Sequence, residues 1–101
     1  MTKVGEHITL DIIGTKKEYD PSFFENLIHK IAKDAKVTIL EISKYKFEPQ
    51  GFTLVASLAE SHISFHTYPE KGIISFDFYT CGTVAPSIAL DVIKKRLNIK
   101  E

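Results

Sequence analysis

The run FTLVASLAESHISFHTYPEKGIISFDFYTCG, residues 52–82, decides the fold. Apolar and polar residues alternate through it in three blocks, 52–59, 62–68 and 72–82. A period of two is the signature of strands with one buried face. In the middle block Ile63 and Phe65 fall in one phase, while His62, Ser64 and His66 fall in the other. In the third block Ile74, Phe76 and Phe78 share a side. A short Pro69–Gly72 connection joins these last two, so the strands follow one another as hairpins.

Toward the N-terminus, EHITLDII (6–13) alternates in the same way. Ile8, Leu10 and Ile12 lie on one face, His7, Thr9 and Asp11 on the other, and Gly14 ends the strand. The period then changes. In YDPSFFENLIHKIAKDAK (19–36), Phe23, Phe24, Leu27, Ile28, Ile31 and Ala35 recur at helical spacing, with Asp20 suited to the N-cap and Pro21 to the first helical position. VTILEISKYKF (37–47) is a further strand, closed by a Pro49-Gln50-Gly51 turn. APSIALDVIKKRL (85–97) is a second helix whose Lys94, Lys95 and Arg96 complement the dipole of its last turn.

The order β-α-β-β-β-β-α predicts an α+β fold, a two-layer α/β sandwich with a mostly antiparallel sheet and both helices on one face. The other sheet face carries His62, Ser64 and His66 and is left for solvent or a partner; we expect a partner.

With 101 residues the chain has the size of one domain, too small for a deep cleft of its own. Thirteen basic residues balance thirteen acidic ones, so no overall field favours nucleic acid or an anionic membrane. Cys81 stands alone, which excludes an intrachain disulfide and a cysteine-based zinc cluster. No run approaches the ~20 apolar residues of a membrane span, and the N-terminus has no apolar signal-like core, so the expectation is a cytoplasmic protein.

Residues 60–70 crowd Glu60, Ser61, His62, Ser64, His66 and Glu70 together. Serine hydrolysis is a poor fit, because there is no G-x-S-x-G elbow, no glycine-rich oxyanion turn and no acidic orienter. Taken singly, Ser61 is a turn residue opening a strand, Cys81 a small buried apolar residue, and Phe47 part of the core. His7 and His29 read as structural, and His62 lines a face without a chemical role. Without H-x-x-E or C-x-x-C spacing, no metal site is expected.

Together these residues are more specific. The run AESHISFHTYPEKGIISFDFYTCG (59–82) resembles the processing and active-site segment of the prokaryotic S-adenosylmethionine decarboxylases, whose pattern is A-E-S-H-x-x-x-H-T-W-P-E followed by F-T-C-G. Tyr68 stands at the tryptophan position and Tyr79 at the phenylalanine position. GEHITLDIIG (5–14) is similar to the family's G-x-H opening strand, and KFEPQGFT (46–53) to its K-F-S-P-Q-G turn.

The resemblance implies a self-processing enzyme of polyamine (spermidine) synthesis that decarboxylates S-adenosylmethionine. Ser61 Oγ would attack the Glu60 carbonyl, converting the amide to an ester. Elimination would then leave a β chain, 1–60, and an α chain, 61–101, opened by a pyruvoyl group made from Ser61. That group serves as electron sink for the decarboxylation. His66 matches the processing base, Cys81 the proton donor, Phe47 the aromatic stacked on adenine, and Glu70 the carboxylate on the ribose hydroxyls. Ser61 and His66 are five residues apart, so in one regular strand they face opposite ways; a bend is expected before the strand, with Ser61 in it. The family is a symmetric homodimer with sites near the interface.

Two departures stand out. Thr53 replaces the serine found eight positions before the cleavage serine, which implies slower self-cleavage, and GTVAPSIAL (82–90) lacks the usual acidic and aromatic residues. Alternatives are a pyruvoyl-dependent arginine or ornithine decarboxylase of the same fold and, in another class, a non-catalytic dimeric α/β regulatory module.

Overall fold

The structure, a computed structural model, describes residues 5–15, 19–59, 61–81 and 85–97. Its elements are β1 (Gly5–Ile13), α1 (Pro21–Ala35), β2 (Ile39–Lys46), β3 (Phe52–Leu58), β4 (Ser61–Tyr68), a 3-10 turn (Pro69–Lys71), β5 (Ile73–Cys81) and α2 (Ser87–Arg96). The five strands and two α-helices are those that the alternation and helical spacing predict; the 3-10 turn lies in the Pro69–Gly72 connection. The strands form one sheet in the order β1-β5-β4-β3-β2, antiparallel at every step. β2 to β5 are a meander of consecutive hairpins. β1 joins the far edge beside β5, and the chain returns from it through α1 to the opposite edge.

Alternation along the strands separates two faces. Leu54, Ala56, Ile63, Phe65, Ile74, Phe76 and Phe78 are buried in one core with Phe24, Leu27, Ile28 and Ile31 of α1 and Ala89, Val92 and Ile93 of α2. Both helices therefore cover the same face, as the order of elements predicts. Phe24 packs against Phe52 and Phe65 at centroid distances of 5.4 and 4.9 Å, and Phe65 against Phe76 at 4.9 Å, within the range of favourable ring pairs.

Asp20 occupies the N-cap of α1 with extended backbone, but its side chain makes no capping hydrogen bond. Pro21 in the first turn lacks one of the amide donors a cap would satisfy. At the other end Lys36 closes the helix in the left-handed conformation, its amide reaching the carbonyls of Ala32 and Lys33. No helix among the described residues is long and apolar enough to cross a membrane.

Candidate active site

The second face of the sheet is open, and the candidate residues stand at its two ends. At the end where β4 finishes, Thr53 pairs with His66 in register, and Thr53 Oγ1 lies 3.0 Å from His66 Nδ1. When Nδ1 carries the proton and donates to Thr53 Oγ1, the imidazole presents Nε2 as a base. Thr53, His66, Phe47 and Glu70 all line one hollow of about 760 Å³, together with Gln50 and Tyr68. Four residues chosen along the sequence for separate tasks thus share one wall.

Local chemistry builds that wall. The amide of Phe47 donates to the Gly51 carbonyl at 2.8 Å, folding the Pro49-Gln50-Gly51 turn back on itself. Gly51 has φ +93°, and a Cβ there would sit 3.0 Å from the Thr67 carbonyl oxygen, so both conformation and space require glycine. The buried Thr67 hydroxyl accepts the amide of Phe52 at 3.1 Å and fixes the start of β3 against the end of β4. Phe47 is left half-exposed beside Tyr45, centroids 4.8 Å apart, and Glu70 is exposed on the 3-10 turn.

At the other end β4 begins and β5 finishes. His62 pairs with Tyr79, which places Ser61 and Cys81 within one or two residues of the same ladder step. Both are half-buried. Ser61 does not precede the strand in a bend: it is the first residue of β4, opposite Leu58. Hydrogen bonding across the hairpin extends the ladder one residue further than alternation alone marks. Glu60, the residue before the expected cleavage, lies outside the described residues, as do residues 82–84 at the start of the GTVAPSIAL departure.

This register has a consequence for Ser61 and His66. Five residues of strand rise roughly 16 Å. Ser61 shares the phase of buried Leu58, while His66 shares that of Thr53 on the open face. One chain does not bring His66 to its own Ser61.

Between the two ends stands a cluster that sequence reasoning missed. His7 Nε2 and His62 Nε2 lie 2.7 and 3.0 Å from the same Asp77 oxygen, Oδ2, and Ser64 Oγ donates to Oδ1. Burial pushes the Asp77 carboxyl up, but the hydrogen bonds from Ser64, His7 and His62 outweigh it and hold the carboxyl below its usual range. His7 and Asp77 are 70 positions apart and meet only because β1 pairs with β5, so no local spacing announces them. The two imidazoles and the carboxylate have the donor types of a metal site and converge within 4.8 Å, which the absence of a spacing motif had argued against. They are nonetheless satisfied by one another. His29, by contrast, is exposed on α1.

Comparison with known proteins shows the family. The family described as S-adenosylmethionine decarboxylase matches residues 6–101. A protein of Symbiobacterium thermophilum named S-adenosylmethionine decarboxylase proenzyme is 42% identical over 97 residues, covering 93% of this chain and 74% of its own length. One of the same name from Methanococcus vannielii is 42% identical over 101 residues, covering 97% and 83%. The crystal structure of the adenosylmethionine decarboxylase from Aquifex aeolicus superposes with a TM-score of 0.83 at 37% identity, covering 100% of this chain and 86% of that one.

Proposed function

The chain belongs to the S-adenosylmethionine decarboxylase family, and from that premise we propose that it cuts itself between Glu60 and Ser61 and then decarboxylates S-adenosylmethionine for polyamine synthesis. The observation that carries this reading is the single hollow lined by Phe47, Thr53, His66 and Glu70. An arginine or ornithine site has no use for a ring face and a ribose-binding carboxylate on one wall, and a non-catalytic module has none for the whole set.

A pyruvoyl group fits the residues present. Ser61, its precursor, heads β4, with Cys81 at the adjoining end of β5. When in place, the group supplies a carbonyl that captures the substrate amine and draws off the electrons freed by loss of carbon dioxide. The remaining work falls to the chain itself. Phe47 offers its face to the adenine, Glu70 accepts hydrogen bonds from the ribose hydroxyls, and Cys81 delivers a proton to the substrate carbon that carried the carboxylate. In processing, Ser61 Oγ attacks the Glu60 carbonyl, and His66, oriented by Thr53, handles the proton.

We assign these parts to two chains, because the register keeps His66 away from the Ser61 of its own strand. A two-fold dimer joined face to face and antiparallel lays the Ser61–Cys81 end of one sheet over the Phe47–Glu70 end of the other, giving two equal sites. The exposed side chains support it: among the described residues, five of the six large apolar ones that are exposed (Ile13, Tyr45, Phe47, Val55 and Tyr68) lie on or beside the open face.

The test is an intact mass spectrum of purified protein after incubation at neutral pH, followed by carbon dioxide release from S-adenosylmethionine, arginine and ornithine in parallel. Two fragments split at 60/61, with the second lighter by one ammonia than a serine-started chain, and release from S-adenosylmethionine alone are the expected results. An uncut chain overturns the processing step, and release from arginine or ornithine overturns the substrate.

A further inference from the structure

Tyr79 takes no part in the steps above, yet its hydroxyl stands at the thiol those steps depend on. We propose that Tyr79 positions Cys81 for proton delivery, its phenol O–H donating a hydrogen bond to Sγ that holds the thiol at the sheet rim and steadies the negative charge left on sulfur. The proposal rests on Cys81 being the proton donor of the decarboxylation.

The geometry is specific. Tyr79 and Cys81 are two residues apart on β5 and share the open face. Gly5 of β1 pairs with Cys81, and a Cβ on Gly5 would fall 2.5 Å from the Tyr79 hydroxyl and 2.7 Å from Cζ. The missing side chain is therefore what lets the phenol lie across β1 toward the thiol. The ring is also clamped. His62 stacks on it with planes 17° apart and centroids at 6.0 Å, and His7 meets it edge-on at 6.1 Å. Both imidazoles are themselves anchored on Asp77, so the central cluster supports the rim. The hydrogen bond to Cys81, with desolvation and the sulfur's charge adding to it, pushes the Tyr79 phenol above its ordinary value. At neutral pH the phenol therefore keeps its proton and acts as donor.

In the step itself the S–H bond of Cys81 breaks and a C–H bond forms at the substrate carbon that has lost carbon dioxide. The electron pair stays on sulfur, where the phenol O–H meets it, and a proton from water restores the thiol. The related motif F-T-C-G has no hydroxyl at this position, so the contribution tunes a proton transfer that proceeds without it.

The coupling is read first without turnover, in the uncleavable Ser61→Ala chain. Iodoacetamide labelling of Cys81 is followed by intact mass across pH 6–10, with and without Tyr79→Phe. Tyr79→Phe is expected to slow labelling at neutral pH by about 3–10-fold and to move the onset of labelling to higher pH, since a hydrogen bond to a charged group is lost. Superimposable labelling curves overturn the proposal. In the processed enzyme the same substitution should lower kcat by about 3–10-fold, leaving KM within about twofold and the cleavage rate unchanged. A change confined to KM overturns it too. Should Tyr79→Phe not fold, the unsubstituted protein gives the answer from the other side. Capping Cys81 as a methyl disulfide must lower the titration of one phenol in the ultraviolet difference spectrum, and no movement counts against the bond. Full turnover by Cys81→Ala would remove the premise, whereas the labelling curves report on the bond alone.

Discussion

The open face holds two histidine clusters whose contrast is instructive. Around Asp77, two imidazoles and a hydroxyl converge on one carboxylate, which stays ionised and fixes all three. At the hollow, His66 meets a single hydroxyl, that of Thr53, and faces open space. The first arrangement spends its polar atoms on each other and is suited to holding neighbours still. The second leaves one ring nitrogen uncommitted, which is what a base for an incoming group needs. Residue type is the same in both; the difference lies in whether a carboxylate is bonded to the imidazole.

The largest effects separate the sheet ends. Ser61→Ala should abolish both cleavage and decarboxylation, seen as one uncut mass. His66→Ala should slow cleavage by at least ~100-fold, the usual contribution of a positioned base. Co-expression then tests whether the site is shared: His66→Ala chains should be cut when paired with Ser61→Ala chains, because one hybrid site keeps both groups. Persistent failure to cut in verified hybrid dimers would place the whole site in one chain.

A smaller effect is expected at the hollow's aromatic wall. Phe47→Ala should raise KM for S-adenosylmethionine by about 2–10-fold, as one ring contact is worth about 0.5–1.5 kcal/mol, with processing untouched. A loss confined to kcat would mean that Phe47 does not bind the substrate ground state.

The carboxylate cluster predicts a pH signature. A carboxyl held below its unfolded value stabilises the fold above that unfolded value, and the stabilisation disappears as pH falls through the folded one. Asp77→Asn should therefore lower stability by about 1 kcal/mol near neutrality, a figure reduced for solvent screening. The gap to the unsubstituted protein should close below about pH 4, in denaturant titrations at several pH values. A gap independent of pH would show that packing, not charge, is lost. The smallest effect is at Thr53: Thr53→Ser should speed cleavage roughly twofold, because the methyl group stiffens χ1 around the hydroxyl that meets His66. Identical time courses would clear the methyl of any part.

Much of this was legible along the chain. Period-two alternation from Phe52 to Cys81 marked the strands and their buried phase, and the spacing of Phe24, Leu27, Ile28 and Ile31 marked the helix that covers them. The motif around Ser61 and His66 named the residues to watch. The role of Asp77 was not legible, because its partners come from β1 and β4. The placement of Ser61 in a bend was wrong for a related reason, since hairpin register, not local pattern, sets where a ladder ends.

By itself, then, the sequence determined which residues are buried, which elements form, and which side chains we propose for the chemistry. These follow from local periodicity and residue type, properties that each segment has alone. Strand order and register were decided only in three dimensions, by how the segments share one core. Register is what gathers Phe47, Thr53, His66 and Glu70 around one hollow and joins His7 to Asp77. Those distances depend on pairings between segments far apart in the chain, which no single stretch of it encodes.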